Sequence, residues 1–455
     1  MQYISTRNNK LSETFIDILF QGLSKDGGLY LPKQWPAIDI DSLRNKTYEE
    51  VALHIINPFV GNQISENDLY EIIHNTYKKF NHHKVAPLNK IDTNKYILEL
   101  FYGPTLSFKD YALQFLGNLF SFAMIKKNKK ITILGATSGD TGAAAIDAFK
   151  GKENIDVFIL HPYQKVSEVQ RRQMTSVLDS NIYNIAVQGT FDDCQNIVKN
   201  LFLDDEIQKN TSLTAINSIN WARLIAQTVY YFWAYLQLGE EKISFIVPSG
   251  NFGNIFSAHV AQKMGLPIKK LWASTNQNDV LDKIIKTGKM YISNVKQTYS
   301  PSMDIQISSN FERQIFESVG DDSSKVKQIM KNFIKNNQYN FDFKVQKKFQ
   351  EIYSSTAVSN ERTLEIIKIF NQRYNYLPDP HTATGLSILE NINADHSFVS
   401  LACAHPAKFG NAIEMAIGEK PPIPQELENI FDKKEKITIL PNSSKEIKSL
   451  ILNNI

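Results

Sequence analysis

The sequence predicts an α/β protein built on parallel sheet, and three observations carry that expectation. Short β-rich runs alternate with helical stretches from about residue 95 onward. Two of those runs end in glycine-rich turns that open helices, and open α/β sheets hold their ligands at such junctions. The 455 residues give room for about three domains of roughly 150 residues each, enough for a substantial core.

Taken in order, residues 1–90 carry helical patterns broken by "KDGGLYLPKQWP" and read as a mostly helical N-terminal domain. "KYILEL" (95–100), "ITIL" (131–134), "IDVFIL" (155–160), "IYNIAV" (182–187), "ISFIV" (243–247) and "KKLWAS" (269–274) then read as strands. Their alternation with helical stretches predicts right-handed βαβ units. "TVYYFWAYLQLG" (228–239) comes nearest to a membrane span but is far short of about 18 apolar residues, and it reads as a buried aromatic helix. Residues 290–375 are rich in lysine and asparagine with amphipathic helical patterns. After them "YLPDPHTATGLSIL" and "SFVSLACAHPAKFG" restore the strand, loop and helix texture.

Fifty Lys plus Arg against 47 Asp plus Glu leave a net charge of +3, too small to make nucleic acid or an anionic membrane the partner. A small molecule is expected instead. Cys194 and Cys403 lie too far apart for a CxxC site or a disulfide framework, which fits a reduced, cytoplasmic setting. The histidines form no metal-binding spacing; His82 and His83, read as extended, face apart on the surface. The start, "MQYISTRNNKLSETF", lacks the apolar core of a signal peptide.

Chemistry concentrates in three places. In "LFYGPTLSFKDYALQFLG" (100–117), Lys109 stands in apolar company, so it is either a solvated side chain or an amine held where losing its charge is useful. "ITILGATSGDTGAAAIDAFKG" (131–151) crowds Thr137, Ser138, Asp140 and Thr141 at a helix entry, which serves equally as a cap or as an anion cradle. "ISFIVPSGNFGNIFSAHVAQKMG" (243–265) repeats the arrangement with Gly250, Asn251, Phe252 and Gly253, as a tight turn or a phosphate loop. The first loop has neither Walker A nor G-x-G-x-x-G spacing, and no G-x-S-x-G elbow occurs. Two anion loops and one apolar-flanked amine suggest a phosphorylated cofactor with an aldehyde that forms a Schiff base.

In this order, "GPTLSFKD", "GATSGDTGAAA", "GTFDDCQ", "NSINWARLIAQ", "VPSGNFGN" and "AHPAKF" resemble the threonine synthase family of pyridoxal-phosphate enzymes, in its longer bacterial and fungal form. "YISTRN", "GLSKDGGLYLP" and "SPSMDIQISSNFER" extend the resemblance over nearly the whole chain. It implies a tryptophan-synthase-β-like fold of type II, with two α/β lobes and pyridoxal 5'-phosphate between them. The implied division is an N-terminal domain over 1–90, a catalytic region over 91–415 with a smaller lobe near 120–225, and a C-terminal segment over 416–455.

The implied activity is conversion of O-phospho-L-homoserine and water to L-threonine and phosphate, by γ-elimination and β-addition of water in a monomeric chain. The alternative within the fold is a serine or threonine dehydratase or a β-replacing synthase. Residue by residue, the resemblance makes Lys109 the cofactor anchor and proton carrier and gives the cofactor phosphate to Gly250, Asn251, Phe252 and Gly253. Asp140 falls at the cofactor ring hydroxyl, Ser138 and Thr141 at the substrate carboxylate, and Ser218, Asn220 and Arg223 near the substrate phosphate. Cys403 replaces a threonine expected beside the pyridine nitrogen; its alternatives are a packing role, with Thr382 or Thr384 as the partner.

Overall fold

A computed structural model describes residues 1–127, 129–239 and 242–455. Two sheets organise the catalytic region. The larger has six strands in the order Tyr353–Ala357, Ile268–Thr275, Ile243–Pro248, Ser397–Ala402, Lys95–Glu99 and Leu88–Asp92. All neighbours run parallel except the final pair, an antiparallel hairpin. The smaller has five parallel strands in the order Thr438–Pro441, Ile182–Gln188, Ile155–Pro162, Ile131–Ala136 and Leu213–Thr214.

Every residue of Ile155–Pro162 and of Ile243–Pro248 is buried. Helices on both faces of a parallel sheet cause this, and it is why these strands read as unbroken apolar runs rather than alternating ones. The six expected strands are all present. The aromatic stretch lies in the helix Trp221–Leu238, opened by Asn220 and closed by Gly239 at φ 68°, with Tyr230 and Tyr231 fully buried. Among the described residues no helix is long and apolar enough to cross a membrane.

The first ninety residues supply the helices Phe15–Leu19, Tyr48–Val60 and Glu66–Tyr77, together with a three-stranded antiparallel sheet of Asn8–Glu13, Tyr3–Ser5 and Tyr30–Pro32. The domain is mostly helical as expected, and the small sheet is an addition to it; two of its strands have only three residues, too few for a period of two to be read. His82 and His83 lie in a turn, not a strand, and their rings stack at 4.5 Å instead of facing apart. Between 290 and 375 the amphipathic helices Phe311–Ser318, Ser323–Asn336, Phe343–Ile352 and Asn360–Tyr374 appear, with the unanticipated edge strand Tyr353–Ala357 among them. Residues after 416 contribute a strand to the smaller sheet and the helix Ser444–Leu452, whose Ile447 and Ile451 pack in one cluster with Cys194 and Leu201.

Candidate active site

The carboxyl ends of Ile131–Ala136 and Ile243–Pro248 open on one cavity of about 1380 Å³, lined by residues of both lobes and by Arg7 of the N-terminal domain. Lys109 reaches it as the first residue of the helix Lys109–Lys127. Its approach is tightly specified. Asp110 accepts from the Thr105 amide at 2.9 Å and the Thr105 hydroxyl at 2.6 Å, closing the loop before the helix. Gly103 is required there, since a Cβ would come 2.4 Å from that of Asp110. The Phe108 amide then donates to the Cys403 carbonyl at 2.8 Å and the His405 amide to the Leu106 carbonyl at 3.0 Å, which stitches the lysine loop to "CAHP".

The Lys109 amine is buried, 3.3 Å from Ser302 Oγ, 3.9 Å from Asp140 Oδ2 and 4.8 Å from the Phe108 ring centre. Burial pushes its pKa down, and the positive charges of Arg223 and Lys408 add to this against the pull of Asp140. For Asp140, burial favours the neutral acid, but the charges of Lys408 and Lys109 outweigh it and hold the carboxyl far below the usual range. Lys408 is itself fully buried, 2.9 Å from Asp140 Oδ1. Gln170 donates to the same oxygen at 2.8 Å.

The loop after Ile243–Pro248 is built for close approach. Phe252 sits at φ 63° with its ring buried against Phe311 and Tyr353. No side chain caps the helix Gly253–Lys263 that follows, so its first amides remain available to an anion. A Cβ on Gly250 would come 3.0 Å from Met303 Cα, so the strap carrying Ser302 and Met303 packs directly on this loop. Asn310 ties the loop down further, donating to the Asn251 carbonyl at 3.0 Å and to the Ser218 carbonyl at 3.3 Å.

At the other glycine-rich turn, Thr137 performs the cap itself, accepting from the amides of Gly139 at 3.0 Å and Gly142 at 2.8 Å. Ser138 and Thr141 are thereby left to line the cavity. Gly139 lies at φ 141°, where a Cβ would meet Gln170 at 2.4 Å. Arg223 is buried, its Nη1 donating to the Ile216 carbonyl at 3.2 Å while Nε has no protein partner. Burial lowers its pKa to about 10. Ser218 lines the cavity beside it.

Asn220 stands apart from the other sequence candidates. Its Oδ1 accepts from the Ala222 amide at 2.9 Å and its Nδ2 donates to the Leu19 carbonyl at 2.8 Å, so both ends of the amide cap and anchor the helix start. Cys403 faces the cavity, its thiol pushed well up by burial and hence neutral. Thr382 accepts from the Cys403 amide at 2.8 Å, and Thr384 donates to the His381 carbonyl at 2.8 Å.

Sequence reasoning missed Ser302, His381, Gln170 and Lys408. Asp379 holds His381 Nδ1 at 2.8 Å, which leaves Nε2 to accept the Ser302 amide at 3.2 Å and fixes the strap over Lys109. "AHPAKF" and "DPHTATG" held the signal for two of them, since a charged residue in each stands among small and apolar neighbours.

These residues suit pyridoxal phosphate: a buried amine, an uncapped helix start under glycines, and, in Arg223, a buried guanidinium with no acidic partner among the described residues. Family descriptions agree along the chain, with "Threonine synthase N terminus" matching residues 2–77, "Pyridoxal-phosphate dependent enzyme" 83–336 and "Threonine synthase, C-terminal" 382–451. The chain belongs to the threonine synthase family.

A threonine synthase from Pseudomonas aeruginosa is 42% identical over 99% of this chain and 98% of its own length. The Saccharomyces cerevisiae threonine synthase is 40% identical over 98% of this chain and 96% of its own. The crystal structure of the pyridoxal-phosphate-bound threonine synthase from Brucella melitensis superposes with a TM-score of 0.97 at 43% identity, covering 100% of this chain and 99% of that one. The protein is thus a pyridoxal-phosphate-dependent lyase with threonine synthase function, acting on a small molecule.

Proposed function

We propose that the cavity takes O-phospho-L-homoserine and water to L-threonine and phosphate, with a single chain as the working unit in the cytoplasm. One observation carries the choice of substrate. Arg223 is a buried guanidinium with no acidic partner among the described residues, and it faces the same cavity as the buried amine of Lys109. A guanidinium so held suits a phosphate on the substrate, because its planar fork donates charge-assisted bonds.

The bound cofactor supplies an electron sink for the negative charge that develops on the substrate carbons. Gly250, Asn251, Phe252 and Gly253, at the helix start, would hold its phosphate, and Cys403 and Asp140 would lie at its ring. Ser138 and Thr141 bind the substrate carboxylate; Arg223 and Ser218 bind the phosphate that leaves. Lys109 Nζ removes the proton from Cα and returns protons later in the cycle. Ser302 Oγ, 3.3 Å from that nitrogen, keeps the amine oriented between transfers. Water enters only for the addition at Cβ, so early exclusion by the strap over Lys109 protects the steps before it.

Incubation of the holoenzyme with O-phospho-L-homoserine tests this, with phosphate and threonine measured together. Equal amounts of both are expected. Rapid deamination of threonine with no phosphate release would replace this reading with a dehydratase.

A further inference from the structure

Two lysines share one carboxylate in this site, and only one of them reaches the cavity. Asp140 presents Oδ2 to Lys109 at 3.9 Å and Oδ1 to Lys408 at 2.9 Å. Lys408 has no solvent exposure, and a second of its protons goes to the Thr105 carbonyl at 2.6 Å. That carbonyl belongs to the loop that Asp110 closes ahead of Lys109. Lys408 therefore joins the smaller lobe, through Asp140, to the loop that delivers the reactive amine.

We propose that Lys408 is a positioning residue for the reaction, whose buried ammonium neutralises Asp140 so that Lys109 can give up its proton inside the site. The charge count makes the argument. With Lys408 present, the three groups carry a net charge of one when Lys109 is protonated and zero when it is neutral. Without it, those totals become zero and minus one, and the ammonium form of Lys109 is favoured. An isolated carboxylate at this distance, shielded from water, would hold Lys109 as a cation and suppress its action as a base. Among the described residues the other charged or titratable groups around the cluster are Arg223, His381, Cys403, His405, Asp379 and Asp110. None of them contacts Lys408 as closely as Asp140 does.

The inference rests on Lys109 being the proton carrier, and its test is separable from that reading. Competitive acylation of the cofactor-free protein at a series of pH values, read by peptide mass spectrometry, reports the titration of Lys109 itself without turnover. Lys408→Met should raise that midpoint by about one to three units. Lys408→Arg should bring it back towards the native value. Asp140→Asn should lower the midpoint, and the double variant Asp140→Asn with Lys408→Met should return close to native, because its charge states match the native count.

In the holoenzyme the acidic limb of the kcat profile should move with the midpoint. A native midpoint in folded Lys408→Met overturns the proposal. Should that variant not fold, a double variant that titrates like Asp140→Asn alone overturns it equally. Full turnover by Lys109→Ala would instead remove the proton-carrier reading, whatever Lys408 does.

Discussion

The amide of Phe108 donates to the carbonyl of Cys403 across 2.8 Å, although the two residues belong to segments far apart in the chain. This bond, with that between His405 and Leu106, forms a short antiparallel bridge between "GPTLSFKD" and "CAHPAKF". The lysine and the cysteine consequently face one cavity from a shared backbone frame, and Lys408 follows a few residues on.

Lys109→Ala deletes a side chain whose amine lies 3.3 Å from Ser302 Oγ and 3.9 Å from Asp140. The fold should survive, while turnover falls by at least ~10²-fold, the usual loss for a positioned acid and base. Absorption spectra with and without borohydride check the anchor: the native band should be abolished by reduction, and the variant should show no lysine-linked band.

Arg223→Ala should weaken O-phospho-L-homoserine by about 1.5–3 kcal/mol, the range for hydrogen bonds to charged groups. Because the guanidinium is buried without an acid, its removal should not lower the thermal midpoint much. Steady-state kinetics alongside a melting curve measure both. An unchanged KM and kcat would put the substrate phosphate elsewhere in the cavity.

Cys403 offers a neutral thiol, held so by burial, and on the proposal that it flanks the cofactor's ring the ring nitrogen should stay largely unprotonated. Cys403→Thr should preserve the visible spectrum and activity. Cys403→Asp introduces a carboxylate near Asp379 and Asp140 and should shift the spectrum and impair turnover. If the aspartate variant keeps both, Cys403 is a packing residue.

His161 lies buried at the end of Ile155–Pro162, and burial lowers its pKa to about 4. The folded value is below the unfolded one of about 6.5, so stability is full above that pH and is lost as pH falls towards 4. His161→Leu should remove an acid-sensitive contribution on the order of 3 kcal/mol. Chemical denaturation at pH 7 and at pH 4.5 compares the two, and the variant should lose less on acidification. Equal losses in both proteins would refute the assignment of acid sensitivity to this ring.

What the sequence made legible was local. The parallel strands appeared as apolar runs, and Gly250, Gly253 and Gly139 marked turns where a backbone must come close to something. Lys109 drew attention because its neighbours are apolar. What stayed hidden was made by distant pairs: Ser302 with Lys109, Lys408 with Asp140, and Asp379 acting on Ser302 through His381. No spacing rule predicts such contacts. Asn220 shows the opposite failure, since an asparagine before a helix looks the same whether it caps the helix or binds a ligand, and here its amide is fully engaged by backbone. The three-residue strands Tyr3–Ser5 and Tyr30–Pro32 were too brief to carry a pattern.

The strand Thr438–Pro441 has a bearing on biosynthesis. It pairs with Ile182–Gln188, which leaves the ribosome long before it does. Throughout that interval the smaller lobe carries an open edge, with backbone donors and acceptors ready to recruit a strand from another nascent chain. Premature termination anywhere between the two strands would make the vacancy permanent. Such fragments should accumulate as aggregates or be cleared by proteolysis, even where every residue facing the cavity up to Arg223 and Gly253 has already been made.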